Sequence, residues 1–168
     1  RKLTAKAGVE FIINDRADLA LALKADGVHL GQEDLPLSAA RKILGPDRLI
    51  GISVANREEA LQAEREGADY LGIGAVFATE SKQLKEEKES VGLERIKEID
   101  SKVDIPLVAI GGLNQENSSE VIAAGADSIA VISALTQAAD IEAETEAFKA
   151  VVKEAKRRRR DEGHVKES

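Results

Sequence analysis

The sequence predicts an α/β protein with a parallel sheet, and among such folds it favours the (β/α)8 TIM barrel. Short apolar segments alternate six times with segments of helical character, the pattern of strands joined by helical crossovers. The apolar segments are continuous, as expected of strands buried on both faces, and polar residues follow them directly. In a (β/α) barrel the site is built from the loops at that end of the strands. An open doubly wound sheet is the alternative, but no Gly-x-Gly-x-x-Gly follows the first strand.

The elements follow one another in a regular order. Gly45-Pro46 is a helix stop signal, and Asn56 stands where it can cap the helix that follows it. The predicted strands are residues 9–13, 26–31, 49–54, the first half of 69–82, 107–110 and 128–132. The predicted helices are residues 18–24, 38–44, 57–66, 92–102, 114–124 (capped by Asn114) and 141–160, with a short turn or helix at 133–135.

A weak internal repeat supports this alternation. Small residues and an aspartate stand between a helix and the next strand at Ala25-Asp26-Gly27, Gly67-Ala68-Asp69 and Gly125-Ala126-Asp127. Glycine at such a position supplies the left-handed turn out of the helix. The small side chains then let the backbone pass under the sheet.

Composition excludes several classes of function. Of the 168 residues, 43% are apolar and 33% are charged, as in a globular domain with a full core. Because only three Phe and one Tyr occur, we expect an aliphatic core and no base-stacking nucleic-acid surface. The absence of cysteine excludes disulfides, thiolate metal sites and a cysteine nucleophile, and the net charge of −7 gives no reason to expect a polyanionic partner. With no membrane-length apolar run and no visible signal peptide, we expect a cytoplasmic protein.

We expect a single barrel domain at residues 1–155, followed by a charged tail at 156–168. The chain opens inside a predicted helix that ends at Gly8, without an initiator methionine. A closed barrel of this kind has eight strands and six are predicted here, so we expect the first two βα units to lie upstream of Arg1. Without them, the first strand would present an unpaired edge.

Polar residues at the ends of the first two strands predict a magnesium site. Asn14 and Asp15 follow one strand, and Asp34 follows the next. Two carboxylates and an amide form an all-oxygen set, which suits Mg²⁺ that bridges the phosphates of a substrate. The alternative is that Asp15 and Asp34 cap the helices that follow them.

Later strand ends carry groups that bind anions. Thr79, Ser81 and Lys82 bring two hydroxyls and an ammonium to one turn, where they could hold a phosphate, although a solvated loop would look the same. Gly111-Gly112 and Ile132-Ser133 end the last two strands; glycines allow close backbone approach, and N–H groups at a helix start attract anions. Tight turns are the alternative for the glycines.

Two polar side chains belong to the strands themselves. Ser53 ends the third strand and could face the mouth of the barrel, or it could be a buried hydroxyl bonded to backbone. His29 lies in the middle of a strand, where the sequence favours a hydrogen-bonded core histidine over a general base.

Taken together, these motifs closely resemble the thiamine-phosphate synthase family of (β/α)8 enzymes, which act in vitamin B1 synthesis. The segments occur in the family's order and cover strands three to eight of its barrel. The matching segments are Phe11-Ile12-Ile13-Asn14-Asp15-Arg16, Gly27-Val28-His29-Leu30-Gly31-Gln32-Glu33-Asp34, Gly51-Ile52-Ser53, Gly72-Ile73-Gly74, Thr79-Glu80-Ser81-Lys82, Ala109-Ile110-Gly111-Gly112 and Ile132-Ser133-Ala134.

The resemblance implies a transferase that joins 4-amino-2-methyl-5-hydroxymethylpyrimidine diphosphate to thiazole phosphate and releases pyrophosphate. It implies that Asp15 and Asp34 hold Mg²⁺. The residues implied to bind the pyrimidine diphosphate are Asn14, Ser53 and Lys82; those implied to bind the thiazole phosphate are Thr79, Ser81, Gly112, Ile132 and Ser133, with Glu80 in the same substrate-binding segment. The partners implied are these small molecules, with no nucleic acid and no membrane; a homo-oligomer is left open.

The chain departs from the family pattern at several places. The Gln-x-Arg-x-Lys segment that grips the diphosphate in the family does not occur here. Ala55 replaces a common His, Ala75 and Ala78 replace Pro, and Ser81 replaces Thr. Two alternative functions therefore stay open: a thiazole tautomerase-like isomerase, which is not expected to keep the metal set, and a non-catalytic barrel that binds phosphorylated ligands.

Overall fold

The computed structural model describes residues 1–78 and 90–163. Strands and helices alternate along the chain, as predicted. In chain order the elements are α1 (Lys2–Ala7), β1 (Ile12–Asn14), α2 (Ala17–Ala22), β2 (Gly27–Leu30), α3 (Leu37–Leu44), β3 (Leu49–Val54), α4 (Arg57–Arg65), β4 (Tyr70–Ile73), α5 (Gly92–Asp100), β5 (Leu107–Ile110), α6 (Ser118–Ala123), β6 (Ser128–Ala130), α7 (Ser133–Thr136) and α8 (Ile141–Asp161).

The strands confirm the predicted parallel α/β fold. They form one six-stranded sheet in which strand order follows chain order. The pairs β1–β2, β2–β3 and β5–β6 are parallel, with Asn14 opposite His29 and His29 opposite Gly51. Parallel pairing brings the carboxyl ends of neighbouring strands to the same edge, so residues that follow β1, β2 and β3 share one edge.

The chain divides into two compact units, a first unit of Arg1–Gly72 and a second unit of Ile73–Ser168. The first unit buries aliphatic strand residues such as Val28, Leu30 and Ile50 completely, and α2, α3 and α4 each bury an alanine. In the second unit the fully buried side chains include Ile96, Leu107 and Ile122. Among the described residues, both cores are aliphatic apart from the buried Phe148 in the second unit, as the scarcity of aromatic residues predicts. The single-domain boundaries at 1–155 and 156–168 stay a prediction.

The repeated aspartates have a structural role that the sequence analysis missed. The side chain of each aspartate accepts a hydrogen bond from the backbone N–H of a residue at the start of the preceding strand. The backbone N–H of the aspartate donates in return to the carbonyl of that same residue. The side-chain bonds are Phe11 N–H to Asp26 (2.8 Å), Ile50 N–H to Asp69 (2.7 Å) and Leu107 N–H to Asp127 (2.9 Å). The backbone bonds return from Asp26 (2.9 Å), Asp69 (2.9 Å) and Asp127 (2.8 Å). The repeat therefore clamps the amino ends of three strand pairs.

An arginine accompanies two of these clamps in the first unit. Arg1 reaches Asp26 at 2.8 Å, and Arg41 reaches Asp69 at 2.6 Å. Arg41 also donates to the carbonyls of Arg48 (2.6 Å) and Gly67 (3.0 Å), so one guanidinium of α3 joins the residue before β3, the turn after α4 and the residue before β4. A planar guanidinium with five donors suits such a convergence of acceptors.

The predicted boundaries differ most from the structure at β1, predicted as residues 9–13 and observed as Ile12–Asn14, and at the start of α6. The helix predicted to begin after Asn114 begins instead at Ser118, with Asn117 before it. The Asn114 side chain accepts hydrogen bonds from the N–H groups of Glu116 and Asn117, both at 2.9 Å, and so closes a turn ahead of the helix. Asparagine favours such local turns as much as helix caps, which is why the sequence pattern misplaced the boundary.

Within the described residues, no helix combines the length and apolarity needed to cross a membrane.

Candidate functional site

One candidate site lies in the first unit, where β1 and β2 end. The N–H of Asp15 donates to the carbonyl of His29 at 2.8 Å, which extends the β1–β2 ladder by one bond beyond Asn14. Asp15 adopts a left-handed φ of 66° and is exposed, as is Asn14. The carboxylate therefore stands at the carboxyl edge of the sheet, directly past the last paired residue.

Asp34 lies in the turn that follows β2. Its carboxylate accepts a hydrogen bond from the N–H of Gly31 at 2.6 Å, so the side chain folds back onto the end of the strand. A Cβ on Gly31 would lie only 3.1 Å from the same carboxylate oxygen, so glycine at this position avoids a tight contact with Asp34.

The helix-cap alternative for the two aspartates is wrong. The residue that precedes α2 is Arg16, the residue that precedes α3 is Pro36, and neither helix has a side-chain cap. Both carboxylates are therefore held in strand-end turns, outside the helix-capping positions.

A hydrogen-bonded set of three side chains lies along β2, β3 and β4 of the first unit. His29 Nε2 is 2.9 Å from the hydroxyl of Ser53, and His29 Nδ1 is 3.1 Å from the hydroxyl of Tyr70. The imidazole and phenol rings are also stacked, with centroids 5.5 Å apart and planes inclined by 27°. The half-buried His29 thus has the partners expected of a satisfied histidine, and one of them is a predicted substrate-binding residue.

Two glycines make room for these rings. A Cβ on Gly51 would collide with the ring of Tyr70, and a Cβ on Gly72 would lie 2.8 Å from Cε1 of His29. Sequence reasoning did not assign a role to Tyr70. The signal was present in the period-two spacing, since Gly51 and Ser53 lie on one face of β3, and Tyr70 and Gly72 lie on one face of β4.

Gln32 is a further residue that the sequence analysis did not single out. Its side-chain amide donates to the carbonyl of Ser53 at 2.6 Å. The turn after β2 is thereby tied to the end of β3, next to the Ser53 hydroxyl.

A second candidate site is a cavity in the second unit. Three predicted residues line it together: Gly112, Ile132 and Ser133. The other lining residues are Gly74, Ala75, Ile110, Gly111, Leu113, Ala130 and Val131. The lining combines glycine and alanine backbone, which a phosphate group can approach closely, with the aliphatic side chains of Ile110, Leu113, Val131 and Ile132.

Glycine is required at position 112 in the lining of this cavity. Gly112 has a φ of 65°, and a Cβ there would lie 2.6 Å from the carbonyl oxygen of Ala78 and 2.8 Å from Cβ of Phe77. The N–H of Phe77 donates to the carbonyl of Gly111 at 3.1 Å, so the chain after β4 lies against the end of β5. The glycine pair serves this close backbone approach, and its role in binding phosphate stays a prediction.

Comparison with known proteins identifies the family. Residues 1–135 match the family model described as thiamine monophosphate synthase. The chain belongs to the thiamine-phosphate synthase family. It is 51% identical over 156 residues to the thiamine-phosphate synthase of Moorella thermoacetica, covering 93% of this chain and 73% of the relative. It is 54% identical over 142 residues to the synthase of Clostridium novyi, covering 84% and 69%.

A solved structure supports the same assignment. Thiamine phosphate pyrophosphorylase from Pyrococcus furiosus superposes with a TM-score of 0.83 at 46% identity, over 92% of this chain and 73% of that one. Thiamine-phosphate synthases are transferases that form thiamine phosphate, so the predicted family, fold class and enzyme class are confirmed. The names of these relatives favour synthesis over the isomerase alternative.

The acidic residues of the first unit fit the Mg²⁺ that this synthase family implies. Within residues 1–78 and 90–163, no group of three or more His, Cys, Asp or Glu side chains could hold a metal. Mg²⁺, however, usually takes one or two carboxylates and completes its shell with water and substrate phosphates. Asp15 and Asp34 supply that number of carboxylates at adjacent strand ends.

Four predicted synthase residues lie outside the described residues: Thr79, Glu80, Ser81 and Lys82. Their roles in binding substrate stay predictions.

Proposed function

We propose that the first unit binds the pyrimidine diphosphate and that the second unit binds the thiazole phosphate. In the reaction, the bond between the pyrimidine methylene carbon and the diphosphate oxygen breaks, and its electron pair leaves with pyrophosphate. The thiazole nitrogen then supplies the pair for the new carbon–nitrogen bond. This chemistry needs little proton transfer; it needs charge stabilisation on the leaving group and exclusion of water.

The observation that carries the proposal is the pair of carboxylates that follow β1 and β2. Asp15 and Asp34 are held at the carboxyl ends of neighbouring parallel strands by backbone hydrogen bonds, rather than serving as helix caps. We assign both to Mg²⁺, which when bound would neutralise charge on the departing pyrophosphate. Asn14 and Ser53 stand at the same carboxyl edge of the first unit and would contact the pyrimidine diphosphate. Lys82, which lies outside the described residues, is assigned to the same substrate from the family resemblance alone.

The cavity lined by Gly112, Ile132 and Ser133 supports the thiazole phosphate assignment. Gly112 lets the end of β5 lie against the chain at Phe77 and Ala78, so that backbone lines the cavity there. Ser133 is the first residue of α7, where N–H groups and a hydroxyl can donate. Ile132 is 58% exposed and offers apolar surface beside the phosphate. Thr79, Glu80 and Ser81 complete the proposed set.

The remaining expectations about the surroundings of the protein stay predictions. We expect small-molecule substrates, no nucleic-acid or membrane partner, and a cytoplasmic location; a homo-oligomer stays open.

Steady-state kinetics of the Asp34→Asn variant test the proposal. The substitution keeps the shape of the side chain but weakens a proposed metal ligand, so we expect kcat/KM to fall at least about a hundredfold. Asp47→Asn is the matched control, because Asp47 is exposed in the loop before β3 and has no proposed role. Equal activity of both variants would refute the metal assignment. Tight binding of phosphorylated ligands without turnover by the unaltered protein would favour the non-catalytic alternative.

A further inference from the structure

The proposed role of Ser53 does not account for the two side chains hydrogen-bonded in series behind it, His29 and Tyr70. Three side chains from three strands of the first unit meet within hydrogen-bond distance, at 3.1 Å between Tyr70 and His29 and at 2.9 Å between His29 and Ser53. Each of the two rings occupies space that a neighbouring glycine leaves open, Gly51 for Tyr70 and Gly72 for His29. Packing of this kind fixes side-chain orientation, which a binding group needs in order to act with a defined geometry.

The proton arrangement in the set follows from the chemistry of its members. A neutral imidazole has one N–H donor and one acceptor nitrogen, so the partner of one nitrogen decides the role of the other. A phenol is more acidic than an aliphatic hydroxyl, which makes Tyr70 the better donor to an imidazole nitrogen. Burial raises the pKa of the Tyr70 hydroxyl, so the hydroxyl keeps its proton at neutral pH and is present as a donor.

We infer that Tyr70 is a positioning residue that acts through His29 on Ser53. Tyr70 donates to Nδ1 of His29 and thereby fixes the proton on Nε2. Nε2–H then donates to the Ser53 oxygen, which leaves the Ser53 hydroxyl hydrogen directed at an acceptor atom of the pyrimidine diphosphate. The inference rests on the proposed function, because it takes Ser53 as a contact to that substrate.

The tautomer of His29 is the most direct readout. In protein labelled with ¹⁵N-histidine, we expect the His29 signals of the Nε2–H form, and we expect the Nδ1–H form to gain population in Tyr70→Phe. The chain has two histidines, so a His164→Gln variant assigns the signals. A predominant Nδ1–H form in the unaltered protein would overturn the inference, because His29 would then donate to Tyr70 and Nε2 would carry no proton to donate to Ser53.

Binding of the pyrimidine diphosphate provides the functional test. By titration calorimetry of the full-length protein, we expect Tyr70→Phe to weaken binding about fivefold, the size of one oriented hydrogen bond. We expect binding of the thiazole phosphate to stay unchanged. Ile50→Val is the matched control: it removes one methyl group from a fully buried side chain of β3, outside the hydrogen-bonded set, and should leave both affinities unchanged.

A double-mutant cycle separates positioning from packing. If Tyr70 acts through Ser53, Tyr70→Phe should cost nothing further once Ser53→Ala is in place. Additive losses would overturn the inference while leaving the proposed function intact. Failure of the unaltered protein to bind the pyrimidine diphosphate would instead overturn the proposed function and this inference with it.

Discussion

Gly112 lines the cavity proposed to bind the thiazole phosphate, and its backbone conformation predicts an effect on substrate binding. Its φ of 65° and its closeness to the backbone of Ala78 leave no room for a side chain. We expect Gly112→Ala to raise the KM for the thiazole phosphate at least about tenfold, because the displaced backbone would no longer line the cavity and a left-handed alanine costs about 1–2 kcal/mol. Steady-state kinetics with saturating pyrimidine diphosphate measure this effect.

Gly8→Ala is the control for this substitution. Gly8 also has a left-handed φ, 66°, but a Cβ there would meet nothing within 4 Å. The control therefore carries the backbone strain without the collision, and a similar KM increase in both variants would contradict the role given to Gly112.

The hydrogen bonds that Asp69 accepts from Ile50 and Arg41 predict that this single residue stabilises the fold. Asp69→Ala would remove the acceptor of the Ile50 N–H and the ion-pair partner of Arg41, so we expect a loss of about 2–3 kcal/mol in unfolding free energy. Asp69→Asn keeps an oxygen acceptor and should lose less. Urea unfolding measures both, with the exposed Asp47→Ala as a control. An Asp69→Ala loss no larger than that of the control would show that the clamp adds nothing.

At the scale of elements, α8 has a charge pattern that predicts a pH dependence. Arg157 and Arg158 hydrogen-bond to Glu154 and lower the pKa of its carboxyl from 4.5 to about 2. A lowered folded-state pKa adds stability above the unfolded-state value, and that stability is lost as the pH falls from about 4.5 to about 2. Because these side chains are largely exposed, the effect is small and screened by salt.

The Glu154→Gln variant isolates this contribution. We expect its unfolding free energy to depend less on pH than that of the unaltered protein between pH 5 and about 2, with the two curves converging at the acid end. Chemical unfolding followed by circular dichroism at low and high salt gives the curves. Parallel curves across that range would mean that the Glu154 ion pairs do not stabilise the fold.

Much at the element scale could be predicted from the sequence, because helix and strand patterns are local. The stop at Gly45 and the cap at Asn56 both hold, and Asn56 accepts the N–H of Glu59 at 2.9 Å. The start of α6 was misplaced because Asn114 closes a turn with the same type of bond that caps a helix.

What the sequence did not reveal depends on contacts between strands. The aspartate repeat was visible, but its clamp role depends on strand pairing that no local pattern specifies. Tyr70 escaped notice for a similar reason, since its link to Ser53 runs through His29 on a third strand. Strand-end positions such as Asp15 and Asp34 were predictable because parallel sheets gather their functional groups at one edge.

At the scale of the whole molecule, the family assignment and the residue assignments rest on different grounds. Family membership follows from about half of the residues being identical over most of the chain. The roles of Asp15, Asp34, Ser53 and Gly112 rest on where each unit holds them, and these roles are what experiment must decide.

The most direct test is formation of thiamine phosphate by the full-length protein from both purified substrates. We predict equal amounts of thiamine phosphate and pyrophosphate, no product after treatment with a chelator, and recovery on adding Mg²⁺. Binding of both substrates is measured in parallel with turnover, because a non-catalytic protein could still bind these phosphorylated molecules. Binding of both substrates without any product, or product formation indifferent to metal removal, would contradict the account.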